Sequence, residues 1–157
     1  MLFTIASLLT ALGWLTGCGN VDVDSSSAGN EQLAAANSIY LEPEFTVSDE
    51  SKGPGERYDH KVHEALTRIL SAKGYTVVDS ASDASIVLDG SYERGKVMSK
   101  RQPTFSDGHA SAGNAYYLML NAAANGQTLW SANSPLAGDS LESVLTVLMA
   151  SFPESSQ

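Results

Sequence analysis

Between Tyr58 and Tyr92 the apolar period of the chain changes from helical to extended, and Gly74 stands at the junction. Tyr58, Val62, Leu66, Ile69 and Leu70 recur at helical spacing and form one stripe. A helix is therefore expected over about Glu56 to Lys73. Gly74 can take the left-handed conformation that ends a helix, with Tyr75 folding back on Leu70. Thr76-Val77-Val78 then reads as a short strand, Asp79 to Asp83 as a turn, and Ile86-Val87-Leu88 as the start of a longer strand reaching Tyr92 or beyond. A one-sided helix followed at once by strands must bury its stripe on a sheet, which is the layered α+β solution.

The remaining segments fit that frame. Ser38 to Val47 alternates Ile39, Leu41, Phe45 and Val47 on one side, the signature of a half-buried strand. Pro43 has no amide hydrogen to give and favours an edge or a bulge there. Residues 48–55 and 94–114 are polar and broken by Gly and Pro, and read as loops. A strand from about Ala115 to Ala122 leads to Asn125-Gly126, a strong hairpin signal, and Thr128-Leu129-Trp130 returns. Trp130 is expected to be half-buried against a second helix. That helix carries Leu141, Val144, Leu145, Leu148 and Phe152, with Asp139 and Glu142 as a capping box and Pro153 beyond its end. The fold expected is α+β, a mostly antiparallel sheet of four to five strands with two helices packed on one face.

The chain's only cysteine, Cys18, closes Leu15-Thr16-Gly17-Cys18 behind an uncharged apolar run from Leu2 to Leu15. An apolar run followed by small residues has the layout of an export signal. It is shorter than the ~20 residues that cross a bilayer. A cysteine directly after the small residues resembles the lipobox of bacterial lipoproteins, which implies cleavage before Cys18 and a lipid on its thiol. The alternative is a buried N-terminal helix with an inert cysteine. On the lipoprotein reading, residues 1–17 are a signal peptide and 18–37 are the lipidated cysteine and a flexible tether. Residues 38–153 are then one domain. Residues 19–37 are rich in Ser, Ala, Asn, Gly and Asp, too poor in large apolar groups to order themselves. Gly19 after the cysteine, rather than an aspartate, implies the outer membrane, periplasmic side.

Charge narrows the partners. The net charge of −9 lies wholly outside the apolar leader. It argues against nucleic acid and against adsorption on anionic lipid, so membrane attachment falls to the acyl chains on Cys18. With that thiol modified, neither a disulfide nor thiol chemistry is available. Nothing in the sequence asks for a cofactor or a metal.

The run Leu70-Ser71-Ala72-Lys73-Gly74-Tyr75, then Asp83-Ala84-Ser85-Ile86-Val87-Leu88 and Asn125-Gly126-Gln127-Thr128-Leu129-Trp130, resembles small Gram-negative envelope lipoproteins of uncharacterised function. It is also similar to the N-terminal domain of TolB and the α/β domain of the curli-secretion lipoprotein. The resemblance spans roughly residues 60–132 and departs at Ser85, where a second acid is common. It implies binding or assembly in the envelope and supplies no catalytic residues.

Three groups of side chains invite a chemical reading. His60 and His63 share a helix face near Asp59 and Glu64, two imidazoles suited to one metal. No third ligand stands in a recognisable motif, and a solvated face explains them equally. Asp107-Gly108-His109 lies among Ser106 and Ser111, the residue types of a nucleophilic triad, yet sequence neighbours seldom have triad geometry, and turn chemistry accounts for them. Arg94, Lys96, Lys100 and Arg101 place four of the nine basic residues within eight positions. Such a patch suits a lipid phosphate, an anionic glycan or an acidic protein face; the plainer reading is charge that protects a sheet edge. The expectation is a lipid-anchored binding or assembly module of the cell envelope without catalysis. The alternatives are an envelope hydrolase or metal-dependent enzyme using His109 or the His60/His63 pair, and an immunity lipoprotein against a periplasmic toxin.

Overall fold

The structure, a computed structural model, describes residues 21–47, 56–98, 112–136 and 140–156. Among these residues seven strands form one mixed sheet, and three helices are packed on one of its faces. In chain order the elements are β1 (Asp22–Ser25), α1 (Ser27–Ala35), β2 (Ser38–Leu41), β3 (Thr46–Val47), α2 (Glu56–Ala72), β4 (Thr76–Val78), β5 (Ile86–Met98), β6 (Ala112–Ala124), β7 (Gln127–Pro135) and α3 (Leu141–Leu148), with single 3-10 turns at Ala81–Asp83 and Met149–Ser151. The sheet order is β1-β7-β6-β5-β2-β4, and β3 continues the β2 side of β5.

The expected α+β class holds, but the sheet is larger and less antiparallel than the sequence suggests. β2 runs parallel to both β4 and β5, and β3 runs parallel to β5. The antiparallel part is β5-β6-β7-β1. Ser38 to Val47 is two strands rather than one, and Pro43 falls in the break between them. Phe45 sits in that break and is buried nevertheless. The polar stretch after Tyr92 is partly strand, because β5 runs to Met98 and β6 begins at Ala112.

Residues 22–35 overturn the expectation of a flexible tether. β1 pairs with β7 from Asp22↔Asn133 to Ser25↔Trp130. The Ser26 hydroxyl caps α1 by accepting from the Gly29 amide at 2.9 Å, and Leu33 is completely buried. Composition fails here for a physical reason. An edge strand is held by main-chain hydrogen bonds that any residue can make, and one well-placed leucine anchors the short helix. The domain therefore begins by Val21, not at Ser38.

α2 follows its stripe. Val62, Ala65, Leu66 and Leu70 are buried, and each fully buried large aliphatic contributes about 1.5–3 kcal/mol. Its end is a complete Schellman motif. Gly74 has φ +90°, its amide donates to the Ser71 carbonyl at 3.1 Å, and the Tyr75 amide donates to the Leu70 carbonyl at 3.1 Å. α3 is capped by Ser140, whose hydroxyl accepts from the Ser143 amide at 3.2 Å. Asp139, the expected cap, lies outside the described residues. Glu142 pairs instead with Arg68 of α2; both side chains are 64% exposed, so the pair contributes at most about 1 kcal/mol.

Trp130 is fully buried rather than half-buried. Its ring meets Phe152 edge-on at 5.0 Å and 88°, and its indole N–H donates to the Ser151 hydroxyl at 3.2 Å. Phe152 in turn meets Tyr75 at 5.6 Å. Beyond it the chain straps the helix ends. The Ser156 amide donates to the Ala34 carbonyl at 2.8 Å and the Ser155 amide to the Lys73 carbonyl at 2.8 Å.

The Tyr75 hydroxyl donates to the Leu33 carbonyl at 3.1 Å, and burial pushes its pKa up to about 12. A phenol whose folded pKa is raised contributes stability that is complete below its unfolded value near 10 and is lost as pH rises through 12. Alkaline unfolding is thus expected to steepen between pH 10 and 12. Denaturant titrations across that window should show a shallower loss for Tyr75→Phe than for the unchanged chain.

Candidate functional site

Period-two alternation divides the sheet into two faces. Leu88, Tyr92, Leu120 and Ala132 point under the helices and are buried. The alternate residues point away from every described helix and are half-buried or exposed. On this open face, two rungs cross four strands. One runs Asp24–Ser131–Asn121–Asp89 and the next runs Asp22–Asn133–Met119–Ser91. Glu93 and Tyr117 extend the face on one side, and Val87 and Tyr40 on the other.

Asp22, Asp24, Asp89 and Glu93 are exposed, and among the described residues no Lys or Arg takes a position on this face. The Asn121 side-chain amide donates to the Asp89 carboxylate at 3.0 Å. Asp24 and Asp89 stand three strands apart, about 14 Å. The carboxylates therefore form a spread negative field and not an ion cage. Between them lie half-exposed Tyr117 and Met119, and half-exposed Val87 and Tyr40 lie beyond Asp89. Such a surface complements positive charge.

The histidines lie elsewhere. An open groove runs between the β2–β3 break and α2, lined by Pro43, Glu44, Asp59, His60, His63 and Thr67 among others. His60 is exposed and His63 half-buried. Among the described residues no group of three His, Cys, Asp or Glu comes together to hold a metal. Asp59 is occupied structurally, because the Tyr92 hydroxyl donates to its carboxylate at 2.7 Å. Burial, and then that carboxylate, raise the Tyr92 pKa. Tyr58 and Phe45 pack on the Tyr92 ring at 6.0 and 5.9 Å. Tyr92→Phe is expected to cost about 1 kcal/mol, since water can reach the half-exposed Asp59 and replace the lost donor. Urea titration measures it.

Of the basic run, Arg94 is exposed on β5 opposite Tyr116, and Lys96 occupies the register position opposite Asn114. β7 pairs with β6 as far as Tyr117↔Pro135, so among the described residues only β5 and β6 pair at this end. Lys100, Arg101, His109 and Cys18 lie outside the described residues. The acidic face is absent from the sequence expectations, although Asp22-Val23-Asp24 and Asp89-Gly90-Ser91-Tyr92-Glu93 each place acids at multiples of the strand period.

No family model matches the chain, and no curated protein matches it. Solved structures do. A PelC dodecamer from Paraburkholderia phytofirmans is 19% identical, with a TM-score of 0.53, over 88% of this chain and 99% of that one. A DUF4136 family protein from Bacteroides thetaiotaomicron is 14% identical, with a TM-score of 0.51, over 80% of this chain and 86% of that one. A PDZ domain protein from Parabacteroides distasonis is 12% identical, with a TM-score of 0.53, over 88% of this chain and 36% of that one. The likeness is one of fold. It places the α+β domain beside bacterial proteins of similar architecture and assigns no site residue. Among the described residues no helix is long and apolar enough to cross a membrane.

Proposed function

We propose that this chain is a lipid-anchored lipoprotein of the bacterial envelope, facing the periplasm, which acts as a binding and assembly module without chemistry of its own. The observation that carries the reading is Leu15-Thr16-Gly17-Cys18, placed three residues before the first strand of a folded domain. An export leader, a cysteine and a domain in immediate succession are the parts an anchored module needs. The acidic sheet face supports the binding role, as does the clustering of Arg94, Lys96, Lys100 and Arg101 in the sequence. That a protein of similar fold crystallised as a dodecamer supports assembly as the mode of action.

Blocking signal peptidase II with globomycin should make the unprocessed precursor accumulate. Cys18→Ser should move the protein from the membrane fraction to the soluble fraction or leave it as precursor. A chain that fractionates identically with and without Cys18 would sink the anchoring. For the binding role, affinity capture from solubilised membranes is compared with a quadruple charge reversal at Arg94, Lys96, Lys100 and Arg101. An unchanged set of captured molecules would remove the basic run from the function.

A further inference from the structure

We infer that β1 and α1 are a releasable part of the tether, which undocks from an otherwise folded domain when the strap Pro153–Ser156 lets go of the end of α1. The composition that reads as a flexible tether also limits how firmly the segment can dock. From Asp22 to Ala35 only Gly29 and Leu33 are buried, and all four residues of β1 are exposed. β1 is an edge strand and pairs with β7 through main-chain bonds. α1 has nine residues, too few to hold a helix unaided, so it keeps its shape only while docked. A segment with few buried apolar groups and exposed backbone pairing is the kind that opens before the body of a fold does.

The strap holds what the segment cannot hold for itself. α1 ends at Ala36 in extended backbone, with no glycine to turn its last carbonyls inward. Carbonyls at this end are met from beyond α3 instead. The Ser156 amide and hydroxyl both donate to the Ala34 carbonyl, at 2.8 and 2.9 Å, and the Ser155 hydroxyl donates to the Ala36 carbonyl at 2.9 Å. The strap's other grip is on the body of the domain. There the Ser155 amide donates to the Lys73 carbonyl at 2.8 Å, and the Lys73 ammonium donates to the Phe152 carbonyl at 2.7 Å. The chain is fixed again at Asn37, whose carbonyl accepts from the Thr76 amide at 2.8 Å. The hinge therefore falls at Ala36 and Asn37, and undocking leaves β2 to β7, α2 and α3 in place. The consequence for reach rests on the anchored reading above. Cys18 and Asn37 would then be joined by extended chain spanning up to about 65 Å, instead of by a segment docked on β7.

Hydrogen exchange of the full chain in detergent, followed residue by residue over a low-urea series, tests this. Amides of β1 and α1 should exchange about tenfold or more faster than those at the centre of β5 and β6. They should also respond little to urea, while the central amides quicken steeply. Ser155→Pro with Ser156→Pro removes both strap amide donors and should speed exchange in β1 and α1 by about tenfold or more. Should that variant not fold, Ser155→Ala with Ser156→Ala removes only the hydroxyl donors and should still speed it. Asp24→Cys with Ser131→Cys, made in a Cys18→Ser chain, joins residues that stand opposite on β1 and β7. Such residues are about 5 Å apart at Cα, within the span of a disulfide. Once oxidised, the pair should slow exchange in β1 toward the rate of the central amides, and dithiothreitol should restore the faster rate. Exchange of β1 and α1 at the rate and urea response of the central amides overturns the inference. So do strap variants that leave it unchanged, or an oxidised bridge that does not slow β1. The exchange pattern does not need the lipid, and fractionation of cells reads the anchoring separately, so either idea can fail alone.

Discussion

Trp130→Ala should lower the unfolding free energy by about 3–5 kcal/mol, and the urea midpoint with it by on the order of 2 M. Trp130 is completely buried at the foot of the β6–β7 hairpin. Its removal takes the edge-on partner from Phe152 and the donor from Ser151. Phe152 is itself 1% exposed and packs on Tyr75, so the cavity opens in the middle of the core where neighbours cannot collapse into it. Domains of this kind are stable by about 5–15 kcal/mol, so the loss is a large fraction of the whole. Trp130→Phe keeps most of the volume and should lose much less. A loss below about 1 kcal/mol for the alanine variant would contradict the packing described for the segment after α3.

Gly29→Ala sets two effects against each other, and the structure decides the sign. Replacing a helical glycine by alanine ordinarily gains up to about 1 kcal/mol. Here a Cβ would press on the backbone carbonyl oxygen of Leu129, with the Ser26 hydroxyl at 3.1 Å. A strand carbonyl cannot turn aside as a side chain can, so α1 would have to lift off β7. The net expectation is destabilisation by about 2 kcal/mol. Ala28→Gly, one residue earlier on the exposed side of the helix, is the control and should cost about 1 kcal/mol. If Gly29→Ala raised the thermal midpoint, the seating of α1 on β7 would be refuted.

α2 and the β6–β7 hairpin are legible in the amino-acid sequence because their signals are local. The stripe from Tyr58 to Leu70 needs only helical geometry, and Gly74 and Asn125-Gly126 need only their own backbone angles, φ +90°, 51° and 78°. β1 and α1 are not legible in this way. Asp22-Val23-Asp24-Ser25 is held by β7, over a hundred residues away, through main-chain pairing that leaves no mark in side-chain composition. The parallel pairings of β2 escape for the same reason: Tyr40 against Val78 and Val87 is a fact of topology. The acidic face is legible only in pieces. Asp24 and Asp89 come to share one rung, three strands apart, only through the strand order. The basic run, by contrast, is contiguous and stands out directly.

The early start of β1 bears on where such a domain can work. With a lipid on Cys18, only Gly19, Asn20 and Val21 separate the anchor from Asp22, a reach of at most about 14 Å. That is a short leash. So anchored, and with β1 docked, the domain would be held against the bilayer surface with its outermost strand nearest the lipid, and it could not sweep the periplasm in search of a distant target. Copies of it would share one height and a narrow range of tilts. Their encounters become those of bodies in a plane, where local concentration is high and contacts too weak to survive in free solution can persist.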